Sequence, residues 1–221
     1  MSLMKSPDNE SSALRNSIMI YNETQDYSFQ DGGPDANSRD IDTDRFLGLT
    51  YGVLQEEGVI ENAPGPLYMA VWMVDDYYIA ELNEQFMNHA GPTDVLSFPV
   101  DGRPDTISRH DIIPWVLGDV FICPRQAEIN AREHGLGRDD EIALLLVHGM
   151  LHLLGMDHEL DAEAEVMEAL EQELLRKFWY TPFISPPTYQ PRPHRPPPHR
   201  PPPHQPPPHQ PPTYQPRPHR P

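Results

Sequence analysis

The sequence predicts a single α+β domain, a small mixed sheet packed with helices around a central buried helix. Three observations carry this. Short strand-like runs at 17–22, 67–74, 93–98 and 116–123 alternate with stretches of helical spacing. The run from Ile142 to Leu154 is apolar except at His148, Gly149 and His152, and a helix apolar all round belongs in a core. Proline is concentrated at one end, with nineteen of 28 from Pro182 onward, so the last forty residues form a separate compositional class. The expected organisation is a disordered N-terminus over 1–16, a folded domain over 17–181 and a low-complexity tail over 182–221.

In chain order, residues 1–16 are polar and carry no apolar core segment. SIMIYN, from Ser17 to Asn22, reads as a first strand, and 24–39, rich in Asp, Gly, Ser and Asn, as a loop. Asp40 to Glu57 has helical spacing at Ile41, Phe46, Leu49 and Leu54, with acids near its start where the helix dipole favours them. PGP at 64–66 breaks the chain. Leu67 to Val74 is a continuous apolar run, hence a buried strand. Asp76 to Asn88 reads as a helix with Ile79, Leu82 and Phe86 on one side. Thr93 to Phe98 is the next strand, closed by Pro99, and 100–114 a loop. Val116 to Cys123 is another strand, with Pro124 at a helix-start position before a helix over 125–134 that uses Ala127, Ile129 and Ala131. Asp139 and Asp140 open the central helix. Asp161 to Phe178 is an amphipathic helix with Val166, Leu170 and Leu174 inward and its glutamates read as a solvated face.

The chemistry concentrates in HGMLHLLGMDH, from His148 to His158. His148 and His152 are four apart on a helix, so their Cβ atoms lie about 5–6 Å apart on one face. Two imidazoles so placed converge on one ion, with Zn–N bonds of about 2.0–2.1 Å. Gly155 stops the helix, because glycine takes the left-handed cap conformation freely. The chain then turns and delivers His158. Three histidines with no fourth protein ligand describe a catalytic zinc site, since structural zinc is normally closed by four. The open position admits water, whose pKa zinc lowers to about 7. The glutamate of the H-E-x-x-H peptidase helix is replaced by Gly149, which argues against proteolysis. Asp157 has two readings of equal weight, a hydrogen bond that orients a ligand histidine and a cap on the turn.

These residues carry a resemblance. HGMLHLLGMDH is similar to the H-G-x-L-H-L-x-G-x-D-H signature of the YbeY family, bacterial metal-dependent endoribonucleases of rRNA maturation. LNEQFMNHAGPTDVLSFP, from Leu82 to Pro99, and LGDVFICP, from Leu117 to Pro124, agree in order and kind. The resemblance covers roughly residues 17 to 177. It implies a mixed sheet of about this size and a metal site at the end of the central helix. One zinc ion would be held by His148, His152 and His158. The implied activity is single-strand-specific endoribonuclease action in maturation of the small-subunit rRNA 3′ end and in ribosome quality control. The implied partners are ribosomal RNA and the ribosome or its subunit proteins. Many family members carry an arginine, thought to help hold phosphate, where this chain has Met87. No Lys or Arg occurs from Tyr78 to Val100, so substrate phosphate falls to Arg125, Arg132 or Arg138. His89 and His134 are further candidate polar contacts, although each taken singly reads as a surface histidine.

Charge bears on partners. The tail has five arginines and no acids, so residues 1–181 carry 11 basic and 34 acidic side chains, a net of −23. RNA affinity normally rises with phosphate neutralisation by Lys and Arg, so contact with RNA must come from a local patch, the metal or the ribosomal setting. The charge and Met87 together give weight to an alternative, a ribosome-assembly factor with a mainly structural metal and weak or no nuclease activity. A zinc hydrolase of another bond, such as a peptide, is disfavoured by Gly149. Cys123 stands alone, so no intramolecular disulfide forms, which suits a reducing cytosol. It reads as a small buried hydrophobe. No run approaches the ~20 apolar residues of a bilayer span. The expectation is a cytoplasmic protein that meets neither membrane nor DNA. The tail repeats TYQPRPHR at 188–195 and 213–220 with PPPH units between. Such sequence favours extended polyproline II. Its five histidines are able to take up metal, yet a solvated extension without a part in catalysis is the simpler reading.

Overall fold

A computed structural model describes residues 16–24, 41–104, 114–158 and 160–180. The expected unordered N-terminus (apart from Asn16), most of the loops at 24–39 and 100–114, a helix start at Asp40 and the tail lie outside the described residues.

One four-stranded sheet forms the centre. Strand β1 (Ser17–Asn22), β2 (Leu67–Met73) and β4 (Trp115–Ile122) run parallel, and β3 (Val95–Pro99) pairs antiparallel with β4. The order is β1-β2-β4-β3. The sheet is thus mixed and the fold α+β, as the sequence predicts. The parallel pairs require crossovers. The first is supplied by helix α1 (Thr43–Glu56) with the one-turn α2 (Val59–Asn62). Four residues are too few for a helical period to show, so α2 is absent from the sequence reading.

Helix α3 (Asp76–Met87) covers one sheet face, where Ile79, Leu82 and Met87 pack with Leu96, Phe98 and Phe121. Met87 is therefore a core residue. Helix α4 (Pro124–His134) follows β4 with Pro124 in its first turn and Cys123, buried, as its N-cap residue. Helix α5 (Arg138–Leu153) and helix α6 (Asp161–Phe178) join α1 on the other face. There Met69, Val71 and Met73 of β2 and Val120 and Ile122 of β4 meet Phe46, Leu49 and Val53 of α1 and the whole apolar length of α5. Ile142 to Val147 are all buried, so α5 is enclosed on every side, as expected of it.

Three expectations need correction. Strand β3 begins at Val95 rather than Thr93, because the Asp94 carboxylate accepts from both the Thr93 hydroxyl and the Val95 amide and turns the chain there. Ile129 is 42% exposed, because α4 rests on its alanines Ala127 and Ala131. In α6 the inward stripe is Ala164, Met167, Glu171, Leu174 and Leu175, while Val166 is 62% exposed. The expected stripe was rotated about the helix axis. One glutamate of the supposedly solvated face is consequently inside.

Candidate metal centre

Two of the three predicted ligands occupy the last turns of α5, and the third lies just beyond. The helix ends by a glycine cap. Gly155 has φ +86°, the Gly155 amide donates to the His152 carbonyl at 3.0 Å, and the Met156 amide donates to the Leu151 carbonyl at 3.0 Å. This pair of bonds is the Schellman arrangement, which closes orphan carbonyls and reverses the chain. Asp157 then accepts from the His158 amide at 2.8 Å. The structure thus gives Asp157 a part in the turn that carries His158.

One ligand nitrogen from each of His148, His152 and His158 lies within 4.8 Å of the others. The ring centroids of the three pairs are 4.6, 5.4 and 5.0 Å apart. Their hydrogen bonds decide what these nitrogens are. His152 Nδ1 lies 3.0 Å from the Met156 carbonyl oxygen, which only accepts, so this nitrogen carries the proton. His148 Nδ1 lies 2.7 Å from Glu171 Oε1, a carboxylate acceptor. A neutral imidazole has one N–H and one lone pair. With the proton on Nδ1 each ring offers its Nε2 lone pair, and the two Nε2 atoms lie 3.1 Å apart. Two ring nitrogens at that distance are placed to share one cation. His152 is held neutral: its pKa is pushed down to about 3, first by burial, then by His148 and His158. Neutral imidazole is the form that binds metal. The C-terminal end of α5 adds partial negative charge from its carbonyls, which favours a cation there. The residues present fit a divalent ion with imidazole preference.

Gly149, between the two helical histidines, faces the sheet. A Cβ on it would lie 2.7 Å from Val120 Cγ1 and 2.9 Å from Ser97 Oγ. The position that holds a glutamate in peptidases has no room for any side chain, because α5 packs there against Ser97 of β3 and Val120 of β4.

The three candidate phosphate contacts are each engaged with an acid. Arg125 pairs with Asp76 at 2.8 Å, Arg132 with Glu128 at 2.6 Å and Arg138 with Asp139 at 2.9 Å. Arg138 opens α5 ten residues before His148, about 15 Å away along the helix. His134 lies 3.5 Å from buried Glu141 and so belongs to the packing at the N-terminal end of α5. The residue that sequence reasoning missed is Glu171. Its side chain comes from α6, is buried, and meets His148 across 23 positions of sequence. Only its register with Ala164, Met167 and Leu174 marked it as inward.

Among the described residues no helix is long and apolar enough to cross a membrane. A family model described as Endoribonuclease YbeY matches residues 34–179. Among curated relatives, an endoribonuclease YbeY of Acidothermus cellulolyticus is 46% identical over 147 residues, covering 63% of this chain and 87% of the relative. One of Salinispora tropica is 42% identical over 141 residues, covering 62% and 87%. One of a Nocardioides species is 46% identical over 135 residues, covering 61% and 88%.

Proposed function

This chain belongs to the endoribonuclease YbeY family, and we propose that it is a zinc-dependent endoribonuclease with His148, His152 and His158 as the ligands of one ion. The observation that carries the reading is the convergence of three imidazole nitrogens within 4.8 Å, with His148 and His152 each held at Nδ1 by an acceptor. When bound, the ion supplies Lewis acidity toward a phosphodiester oxygen and activates water for hydrolysis. The chain's own residues hold the geometry. The Met156 carbonyl keeps the proton on His152 Nδ1, and burial keeps His152 neutral. The glycine turn and the Asp157 carboxylate carry His158 back to the pair. Gly149 seats the helix on the sheet.

The substrate we assign is single-stranded RNA at the 3′ end of the small-subunit rRNA, with a role in ribosome quality control, in the cytoplasm. Ribosomal RNA and ribosomal-subunit proteins are the partners. The net charge of −23 over residues 1–181 supports a setting in which the ribosome provides much of the affinity. The hydrolase unit spans 17–181, with the tail outside the catalytic part. The test is cleavage of a single-stranded rRNA 3′-end fragment by the full chain, with and without zinc, beside the His152→Ala variant. Zinc-dependent cleavage abolished in the variant supports the reading. Cleavage unaffected by chelator or by the substitution contradicts it.

The second reading, an assembly factor with little hydrolysis, draws on one observation. The position that the family resemblance gives to arginine is Met87, buried at the end of α3. That reading, with a mainly structural metal, predicts no RNA cleavage by the wild type and loss of the fold in the His152→Ala variant.

A further inference from the structure

Helix α6 carries acids at Glu163, Glu165, Glu168, Glu171 and Glu173, and Glu171 among them is inside, 3% exposed. Burying a carboxylate is costly unless it is hydrogen-bonded or paired. It meets His148 Nδ1 at 2.7 Å. Met167 and Leu174, one turn to either side, are core residues and fix the helix rotation that aims it. The two helical histidines are thus held differently. A neutral carbonyl stands behind His152, and a carboxylate from another helix stands behind His148.

We propose that Glu171 is a positioning residue of the metal centre, fixing the Nε2 lone pair of His148 toward the ion and adding negative charge behind that ligand. The proposal rests on the ligand reading above. A carboxylate behind a ligating imidazole sets the tautomer and ring orientation and raises ligand basicity, and its loss typically costs about 10–100-fold in metal affinity. Glu171→Gln keeps an acceptor of the same size and removes the charge. Glu171→Leu removes both.

The test measures zinc affinity of the full chain by competition with a chromophoric chelator, for wild type, both Glu171 variants and His152→Ala. The His148 tautomer is read in the metal-free proteins by long-range proton–nitrogen NMR. The tail histidines are common to all four and cancel in the comparison. The expected result is a loss of about 10–100-fold in affinity for Glu171→Leu and a smaller loss for Glu171→Gln. The His148 Nδ1–H tautomer persists in Gln and is lost or mixed in Leu. A merely structural glutamate would lower thermal stability while leaving zinc affinity and tautomer unchanged, and that result overturns the proposal. Should Glu171→Leu fail to fold, wild-type affinity in Glu171→Gln overturns it equally. If His152→Ala binds zinc as wild type does, the ligand assignment itself fails. If His152→Ala is impaired and the Glu171 variants are not, only the role of Glu171 fails.

Discussion

Helices α5 and α6 both contribute to one site, and they do so under opposite conditions. Helix α5 is enclosed on all sides, with eleven of its residues buried. From Ile142 onward its two histidines are the only polar side chains, and they stand out for that reason. Helix α6 is amphipathic, with exposed acids over most of its length, and only five of its residues are buried. It supplies one carboxylate through a narrow inward stripe. The site therefore has a rigid first layer from a core helix and a second layer from a surface helix that must hold its rotation. A change in α5 acts on the ligands directly. A change in α6 acts through one hydrogen bond.

The largest contrast comes from substituting a ligand. His152→Ala is expected to reduce metal-dependent RNA cleavage to background while circular dichroism and the unfolding midpoint show a retained fold. The core of α5 does not depend on the histidine. Global unfolding on substitution would move the metal to a structural role and erase the distinction between the helices.

The next test concerns the rotation of α6. Met167→Ala, at a buried position, is expected to cost about 2–5 kcal/mol in denaturant unfolding, while Val166→Ala, one residue away and exposed, stays within about 0.5 kcal/mol. Similar effects at the two positions would contradict the observed stripe. Between these lies the seat of α5 on the sheet. Gly149→Ala forces a methyl against Val120 and Ser97 and is expected to destabilise by about 1–3 kcal/mol. Gly48→Ala in α1, where nothing lies within 4 Å of the new atom, should stabilise by about 0.5–1 kcal/mol. The smallest effect is chemical. Burial pushes the Cys123 thiol up to about 12 from its usual 9.0. The native protein should resist thiol reagents at pH 8 and react fully once unfolded. The raised value favours the neutral form, so this contribution to stability is intact below about pH 9 and is lost as pH rises toward 12.

The histidine cluster was legible because its signals are local. A four-residue spacing on a helix fixes one face, and a glycine after the last apolar residue fixes the turn. The strands at 67–73 and 115–122 were legible because they are buried runs between breakers. What remained hidden depends on tertiary packing. Glu171 reads like its neighbouring glutamates until the rotation of α6 is known, and that rotation is set by Met167 and Leu174 against the α5 core rather than by Val166. Ile129 misled in the same way, since α4 packs through small alanines and leaves its large residue outside. The lack of a peptidase glutamate was visible as Gly149. Its cause, the close approach of α5 to Val120 and Ser97, was not.

In the proposed site three imidazoles from the end of α5 and its turn hold one ion. Elemental analysis of the purified full chain beside His148→Ala and His152→Ala tests it most directly, because the tail histidines are the same in all three. A three-histidine site predicts about one zinc per chain more in the wild type than in either variant. Equal metal content in the three proteins would contradict it.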